Sequence, residues 1–339
     1  MTLPIIGSFR RVVLQIAILL GLCLPACAAS AQMLCVWDPL GAGGDYSNML
    51  KDYQLAAKRW GAQLDISVYT DEAKSVEDYK SGKCDMLNMI GFRARLFNPF
   101  TGTLEAPGGI ENYAQMRDVL SLLTSPKAAK YMLSGNNEVV GIIPIGAGYP
   151  FVTDRKINGL GPAHGKRVAV MGWDPLQALL VKDVGAVPVP LEFTQFASKF
   201  NGGALDIMIA PMALYKPLEL YKGIGTHGGI IHRPMLQFTM QLIAKHDKFP
   251  PGFAQSSREY MLTQVNFALG VIHNQEAGVE QGQWIYASTL ELKDYTRIMR
   301  EARAHLTAAG YYDKRMLNIL KHVRCQGQTD AVECGPEEE

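Results

Sequence analysis

The chain has 339 residues, which is enough for about two domains of ordinary size. Its hydrophobic content of 48% and charged content of 19% exclude a disordered chain and a membrane protein with many spans. The formal net charge is +1 and becomes −1 without residues 1–31, which carry two arginines and no acid. This balance gives no reason to expect nucleic acid or anionic lipid as a partner.

The first 31 residues are typical of an export signal. Arg10 and Arg11 precede an apolar stretch from Val12 to Leu24, and Ala29–Ala31 supplies the small residues of a cleavage site. The stretch is too short for a spanning helix, and no later run reaches about 18 apolar residues. We therefore predict a periplasmic protein, cleaved after about Ala31, whose mature chain has no integral membrane segment. A retained anchor, or lipid attachment at Cys27, is the alternative.

The first elements of the mature chain alternate between strand and helix. Met33–Trp37 predicts a short strand, Tyr46–Trp60 has helical spacing, and Leu64–Tyr69 alternates as a strand. A short helix over about Ser75–Ser81 leads into an apolar strand over Met86–Ile90. The order β-α-β-α-β predicts the core of one lobe.

The middle of the chain predicts a crossing into a second lobe. Residues 92–135 are rich in loops and then helical, and Val139–Ile145 predicts a strand. Tyr149–Ala163 predicts an irregular connection. Gly165–Met212 then predicts a second β-α-β-α-β unit, with strands over Val168–Met171 and Val187–Val189 and a third opening at Asp206.

The last part of the chain predicts a return to the first lobe. Leu236–Ala244 alternates as a strand, and residues from Phe253 to about Val323 have a helical pattern. The fold class is therefore α/β, with two lobes that each have a mostly parallel sheet flanked by helices, and with a helical C-terminal region. Together with the export signal, this arrangement resembles the two-lobed fold of periplasmic binding proteins. Residues 32–138 and 236–325 would form lobe I, residues 139–235 lobe II, and residues 326–339 a polar, acidic tail.

Four cysteines remain in the mature chain, and an even number in an exported protein permits disulfides with three connectivities. Cys325 and Cys334 enclose a short polar loop and are the expected pair. Cys35, on the first strand, and Cys84, just before the third, would be adjacent if those strands are neighbours. The spacings do not fit a zinc site.

The segment Gly165–Met212 resembles the extracytoplasmic receptors of TRAP transporters, the DctP-type family. The resemblance rests on Gly165-Lys166-Arg167, on Gly185-Ala186-Val187-Pro188-Val189-Pro190, and on the ending from Gly203 through Asp206 to Pro211. The whole chain is most similar to the AdeT-like solute-binding proteins of Gram-negative bacteria. This resemblance implies a small-molecule solute and inner-membrane transporter subunits as partners, and no cofactor.

Two departures from the TRAP pattern concern the ligand. The family usually places an arginine on the strand after the glycine turn, where it grips a substrate carboxylate, but Ala169 occupies that position. Arg167 lies on the same face of the strand at a different depth and is a doubtful substitute. The closing motif ends in Ala210-Pro211 without the usual Glu and Asn. The resemblance therefore implies a receptor without the usual clamp and favours an apolar, aromatic or cationic ligand.

Candidate ligand contacts follow the first strand. Trp37 and Asp38 stand at its end, and Gly43, Gly44 and Asp45 complete a flexible loop before the first helix. Backbone amides in such a loop can bind a polar or anionic group, although an ordinary connection is equally consistent. Gly41 and Gly43 also hint at a dinucleotide fingerprint, but Tyr46 occupies the place of its third glycine, and export argues against a dinucleotide.

Other candidates follow the later strands. Asn88 and Arg93 stand at the exit of the third strand, and Arg93 could bind an anionic group or form an ion pair. Trp173 beside Asp174 suits a cationic or ring-bearing ligand, and Asp174 could also cap the helix that begins at Pro175. The remaining two candidates come after the last strand of the unit and are Pro211 and Tyr215.

Catalytic motifs are missing from the sequence: there is no Gly-x-Ser-x-Gly elbow, P-loop or His-Glu-x-x-His. The seven histidines are scattered and suggest no metal site. We therefore expect a non-enzymatic receptor that closes on a solute and presents it to a transporter. An envelope accessory protein linked to efflux or stress is the alternative, and an enzyme comes third.

Overall fold

The structure is a computed structural model that describes residues 31–43, 45–326 and 334. The predicted leader before Ala31, Gly44 and most of the predicted acidic tail lie outside the described residues. Within the described part of the chain, no helix has both the length and the apolar character needed to cross a membrane.

The first lobe is built on three parallel strands. β1 lies between β2 and β3, with Leu34 opposite both Ile66 and Met86. The second helix begins earlier than predicted because the Asp71 side chain caps it, accepting a hydrogen bond from the amide of Ala73 at 2.9 Å. The elements are β1 (Gln32–Trp37), α1 (Asp45–Ala57), β2 (Leu64–Tyr69), α2 (Glu72–Lys80) and β3 (Met86–Ile90).

Short helical turns follow β3 and bring polar groups back toward the sheet. They are α3 (Gly91–Ala94), α4 (Pro99–Gly102) and a 3-10 turn (Thr103–Glu105). Next come the longer α5 (Tyr113–Thr124), the short α6 (Ala129–Met132) and the two-residue strand β4 (Leu133–Ser134).

The second lobe repeats the same order, as predicted. β6 pairs in parallel with both β7 and β8, so that Val168 lies opposite both Pro188 and Ile207. Its elements are β6 (Arg167–Met171), α7 (Pro175–Asp183), β7 (Val187–Leu191), α8 (Phe193–Asn201), β8 (Ile207–Ala210), α9 (Tyr221–Ile224) and β9 (Gly229–Ile231).

Two antiparallel strands connect the lobes. β5 (Asn137–Val152) pairs with β10 (Leu236–Lys245) over residues 137–148 and with β8 over residues 149–152. The strand order is therefore β2-β1-β3-β10-β5-β8-β6-β7. The prediction of an irregular connection from Tyr149 was wrong for its first residues, since β5 continues to Val152. The lobe boundaries at residues 139 and 235 stay a prediction, because β5 and β10 run past them.

The C-terminal region is helical, as predicted. Ser288 and Glu291 form a reciprocal capping box at the start of α11. α12 buries an apolar face that includes Met316, Leu320 and Val323. The elements are α10 (Phe253–Ala277), β11 (Trp284–Ile285), α11 (Thr289–Ala308) and α12 (Lys314–Arg324).

Both expected disulfides are present. Cys35 on β1 is bonded to Cys84, and Cys325 after α12 is bonded to Cys334. Cys35 and Cys84 are completely buried, so the first bridge lies inside the core of the first lobe.

Candidate functional site

A cavity of about 790 Å³ lies at the meeting of the two lobes and α11. Its walls are mostly apolar and rich in aromatic rings. The first lobe contributes Trp37, Phe92 and Phe238, the second lobe contributes Phe193, Phe196 and Met208, and α11 contributes Leu292, Tyr295 and Ile298. The volume is within the range of about 300–1,000 Å³ typical of small-molecule sites.

Trp37 and Asp38 line this cavity, and hydrogen bonds fix both. The Asn88 side chain accepts from the Trp37 amide at 2.6 Å and donates to the Trp37 carbonyl at 3.1 Å. Asp38 accepts from the hydroxyl of Ser47 at 2.5 Å and from the amide of Leu40 at 2.9 Å. Asn88 is buried and is not part of the cavity wall, so it positions Trp37.

Trp37 also touches the opposite lobe. Its ring meets that of Phe193 edge-on, with the centroids 5.4 Å apart. An edge-to-face pair of this kind stabilises by about 1 kcal/mol beyond the buried area. The contact therefore joins the end of β1 to the start of α8 across the cavity.

Arg93 and Trp173 contact each other, and neither lines the cavity. The Arg93 guanidinium lies 3.9 Å from the centroid of the Trp173 ring, and its Nε lies 2.7 Å from Glu72 Oε2. Burial raises the pKa of the Glu72 carboxyl, and the charge of Arg93 opposes that rise. The two predicted residues thus form a contact between the lobes. Arg93 also forms an ion pair with Glu72, which was the predicted alternative to binding an anionic ligand group.

Asp174 lines the cavity and forms a second polar contact between the lobes. Its Oδ1 lies 2.8 Å from Nη2 of Arg95, and both side chains are almost fully buried. Asp174 also caps α7, because Oδ1 accepts from the Leu176 amide at 3.1 Å. Sequence reasoning identified Arg93 at this strand exit but not Arg95, although two arginines so close together were a visible signal.

The remaining predicted contacts are dispersed. Pro211 lines the cavity. Gly43 is exposed and outside the wall, Gly44 is not described, and Asp45 is the first residue of α1. Tyr215 is buried in the second lobe, with its ring 5.9 Å from that of Phe151, and does not line the cavity.

The second lobe places the uncharged Ala169 in the cavity wall. Ala169 is part of the wall, whereas Arg167 is outside it, at the exposed start of β6. The Arg167 guanidinium binds Asp206, with Nη2 and Oδ1 2.8 Å apart, and this pairing lowers the pKa of Asp206. Arg167 is therefore paired with Asp206 and does not line the cavity.

Glu105 is a buried carboxyl in the cavity wall that sequence reasoning missed. Only 1% of the residue is exposed. Its Oε1 accepts from the amide of Thr239 at 2.6 Å and from the Thr239 hydroxyl at 2.9 Å, while Oε2 makes no hydrogen bond of ordinary geometry. Burial raises the pKa of Glu105 to about 8, and the bonds from Thr239 oppose the rise. No sequence pattern marks a residue in a 3-10 turn as a cavity group.

Residues 31–43, 45–326 and 334 contain no group of three or more His, Cys, Asp or Glu side chains arranged to hold a metal ion. The carboxyl groups of the cavity are instead spread along its walls.

The fold is that of the solute-binding proteins of TRAP transporters. A galacturonate-bound protein from Xanthobacter autotrophicus Py2 has a TM-score of 0.67 and 15% identity, covering 87% of this chain and 99% of that one. A protein from Desulfovibrio desulfuricans with bound sn-glycerol-3-phosphate has a TM-score of 0.72 and 14% identity, covering 89% and 99%. A malonate-bound protein from Rhodoferax ferrireducens has a TM-score of 0.68 and 14% identity, covering 88% and 100%.

The chain belongs to the AdeT 1/2 family of solute-binding proteins, whose sequence model matches residues 54–339. It is 41% identical over 304 residues to the probable solute-binding protein AdeT1 of Acinetobacter baumannii, covering 90% of this chain and all of that protein. It is 27% identical to the probable solute-binding protein AdeT2 of the same organism, covering 69% and 98%.

Proposed function

We propose that this protein captures a small molecule in the periplasm and presents it to an inner-membrane transporter. The observation that carries the proposal is the cavity of about 790 Å³ with walls from both lobes. A chain that keeps the fold only as an envelope accessory has no need of such a space. A filled cleft would have favoured that alternative.

In this proposal the ligand is bound by closure of the two lobes. Residues 32–138 and 236–325 act as lobe I and residues 139–235 as lobe II, and β5 and β10 carry the bending between them. β5 has a bulge at Ile145, because Phe238 pairs with Gly146 and Thr239 with Pro144. A bulge interrupts the ladder and lets a strand bend, and Ile145 itself lines the cavity.

The predicted residues divide into two roles under this proposal. Trp37, Asp38 and Pro211 face the ligand. Arg93, Trp173 and Asp174 hold the closed form, in which the Arg95–Asp174 pair and the Arg93–Trp173 contact are made. A ligand that bridges the walls would shift the open–closed equilibrium toward this form, which the transporter would recognise.

The test is recovery of a bound molecule. The full chain with its leader would be produced in the periplasm of a Gram-negative host and released by osmotic shock. Native mass spectrometry would measure bound mass, and a metabolite library would be screened by thermal shift. We expect a co-purified small molecule, or a library compound that raises the melting temperature.

A variant that fills the cavity provides the control. Ala169→Trp places a large side chain in the wall and should abolish both signals. Ala277→Trp, at the exposed C-terminal end of α10 and outside the cavity wall, should leave them unchanged. The proposal fails if no molecule co-purifies and no compound shifts the wild-type protein, or if the signals survive in Ala169→Trp.

A further inference from the structure

The charges in the cavity wall favour a cation. Six carboxyl residues line the cavity against three arginines. Each of the three arginines is already paired: Arg95 with Asp174 at 2.8 Å, Arg233 with Glu111 at 3.4 Å, and Arg297 with Glu301 at 2.9 Å. An anionic ligand would have to share its arginine with a carboxylate.

Two buried groups of the cavity wall lack a hydrogen bond of ordinary geometry, the Tyr46 hydroxyl and Glu105 Oε2, and Glu105 is the acid of the two. Asp38 accepts bonds on both carboxylate oxygens, and so does Asp174. In contrast, Glu105 uses Oε1 for Thr239, and Oε2 has no hydrogen bond of ordinary geometry, although the Phe92 amide is close enough to the carboxyl to lower its pKa. An unsatisfied buried polar atom destabilises the empty site, so a ligand donor placed there would be favoured.

The residues around Glu105 suit a ligand that has an apolar body and one hydrogen-bond donor. Phe92 follows Gly91 at the start of α3, and its ring meets that of Phe238 edge-on at 5.6 Å between centroids. Both rings line the cavity, as does the buried Tyr312. Aromatic faces attract a cation, and burial of the apolar part of the ligand adds to the affinity.

We propose that the ligand is a lipophilic amine whose protonated nitrogen donates a hydrogen bond to Glu105 Oε2 while its apolar body fills the cavity. The proposal rests on the proposed function and specifies its substrate class.

Proton balance follows from the groups around Glu105. The Thr239 amide and hydroxyl on β10, the charge of Arg95 after α3 and the Phe92 amide act on the carboxyl, and its own charge acts on Tyr312 before α12. Because the pKa of Glu105 is about 8, the empty site holds a proton on this carboxyl at neutral pH. When an ammonium ion binds, that proton leaves to solvent and a carboxylate–ammonium pair forms. Amine affinity should therefore increase as the pH rises toward about 8.

Three probes with the same alkyl tail distinguish the contribution of the head group to binding from the contribution of the apolar body. Decylamine, decanol and decanoate would be titrated below their aggregation concentrations into the mature protein, freed of co-purified molecules by unfolding and refolding with its disulfides intact. Isothermal titration calorimetry would give the affinities. We expect decylamine to bind at least about tenfold more tightly than decanol, and decanoate to bind most weakly.

Glu105→Gln tests whether the Glu105 carboxyl binds the protonated nitrogen of the ligand. The amide can still accept from Thr239, so the fold should be kept, and circular dichroism would check it. Decylamine should lose about tenfold in affinity and bind like decanol, whose affinity should not change. Glu138→Gln is the matched control: it removes another buried carboxyl, paired with Arg258 and outside the cavity wall, and should leave decylamine binding unchanged.

The outcomes separate the two proposals. Equal affinities for decylamine and decanol in the wild type, or tightest binding of decanoate, would overturn the amine assignment and leave the proposed function standing. Failure of all three probes, together with no co-purified molecule, would overturn both. A wild-type ratio of decylamine to decanol affinity that does not change between about pH 6 and about pH 8 would also contradict the role of Glu105, without any variant.

Discussion

Arg95 Nη2 lies 2.8 Å from Asp174 Oδ1, and this buried ion pair connects the first lobe to the cap of α7 in the second. Loss of one charge leaves the other buried without its partner, which costs about 3–5 kcal/mol. We predict that Asp174→Asn destabilises the protein by about 3 kcal/mol in urea unfolding. Asparagine still caps a helix well, so the loss belongs to the ion pair and not to the cap. Small-angle X-ray scattering should show a larger radius of gyration, because the lobes separate.

Asp313→Asn is the control for this change. Asp313 caps α12 and binds Arg315, but the Arg315 side chain is 59% exposed. An exposed pair contributes about 0–1 kcal/mol, so this variant should lose much less stability and keep the wild-type radius of gyration. Equal losses in the two variants would show that the Arg95–Asp174 pair does not hold the lobes together.

The uncharged wall at Ala169 gives a second prediction. Ala169→Arg places a guanidinium in the cavity wall, at the position where the resemblance to TRAP receptors implies one, and a guanidinium binds a carboxylate through two parallel hydrogen bonds. We expect the variant to gain malonate binding, measured as a rise in melting temperature of a few degrees at millimolar malonate. Ala169→Gln has a similar length without the charge and should not respond. A folded Ala169→Arg protein that ignores malonate would mean that residue 169 does not approach a ligand carboxylate.

The close approach of Gly91 to Glu105 gives a third prediction. A Cβ atom at residue 91 would lie less than 3.0 Å from both the Glu105 carboxyl group and the Thr239 hydroxyl. Gly91→Ala should therefore displace Glu105 and cost about 1–3 kcal/mol of unfolding free energy. It should also weaken decylamine binding as Glu105→Gln does. In Gly270→Ala, on α10, the new Cβ would meet nothing within 4 Å, and helix propensity predicts a small gain in stability. A stable Gly91→Ala protein with normal amine binding would contradict the described position of Glu105.

The sequence predicted the strands well where apolar residues alternate or cluster, because pattern and burial coincide there. The end of β5 was missed since Gly146, Gly148 and Pro150 are poor strand formers, and pairing with β10 and β8 overrides their propensities. Trp37, Asp174 and Pro211 could be predicted as cavity residues because they lie at or after the ends of parallel strands. Ligands bind parallel sheets at the carboxyl ends of their strands. Arg95 and Glu105 follow no periodic pattern, and the partner of Arg95 is 79 residues away in the chain.

The buried Glu105 makes stability depend on pH. Its pKa is about 8 in the folded protein, whereas an unfolded glutamate titrates near about 4.3. The folded state therefore keeps a proton that the unfolded chain has lost. The stabilisation from this group is fully present below about pH 4 and is lost as the pH rises through about 8.

Glu105→Gln removes that titration and keeps the neutral shape of the protonated acid. Relative to wild type, the variant should become more stable as the pH rises, by roughly 1 kcal/mol per pH unit between about pH 5 and about pH 8. Urea unfolding of both proteins at several pH values measures the difference. Glu77→Gln removes a largely exposed carboxyl, so its free energy of unfolding should change with pH in the same way as that of wild type. If Glu105→Gln also ran parallel to wild type, Glu105 would be ionised in the folded protein at neutral pH, and amine binding would release no proton.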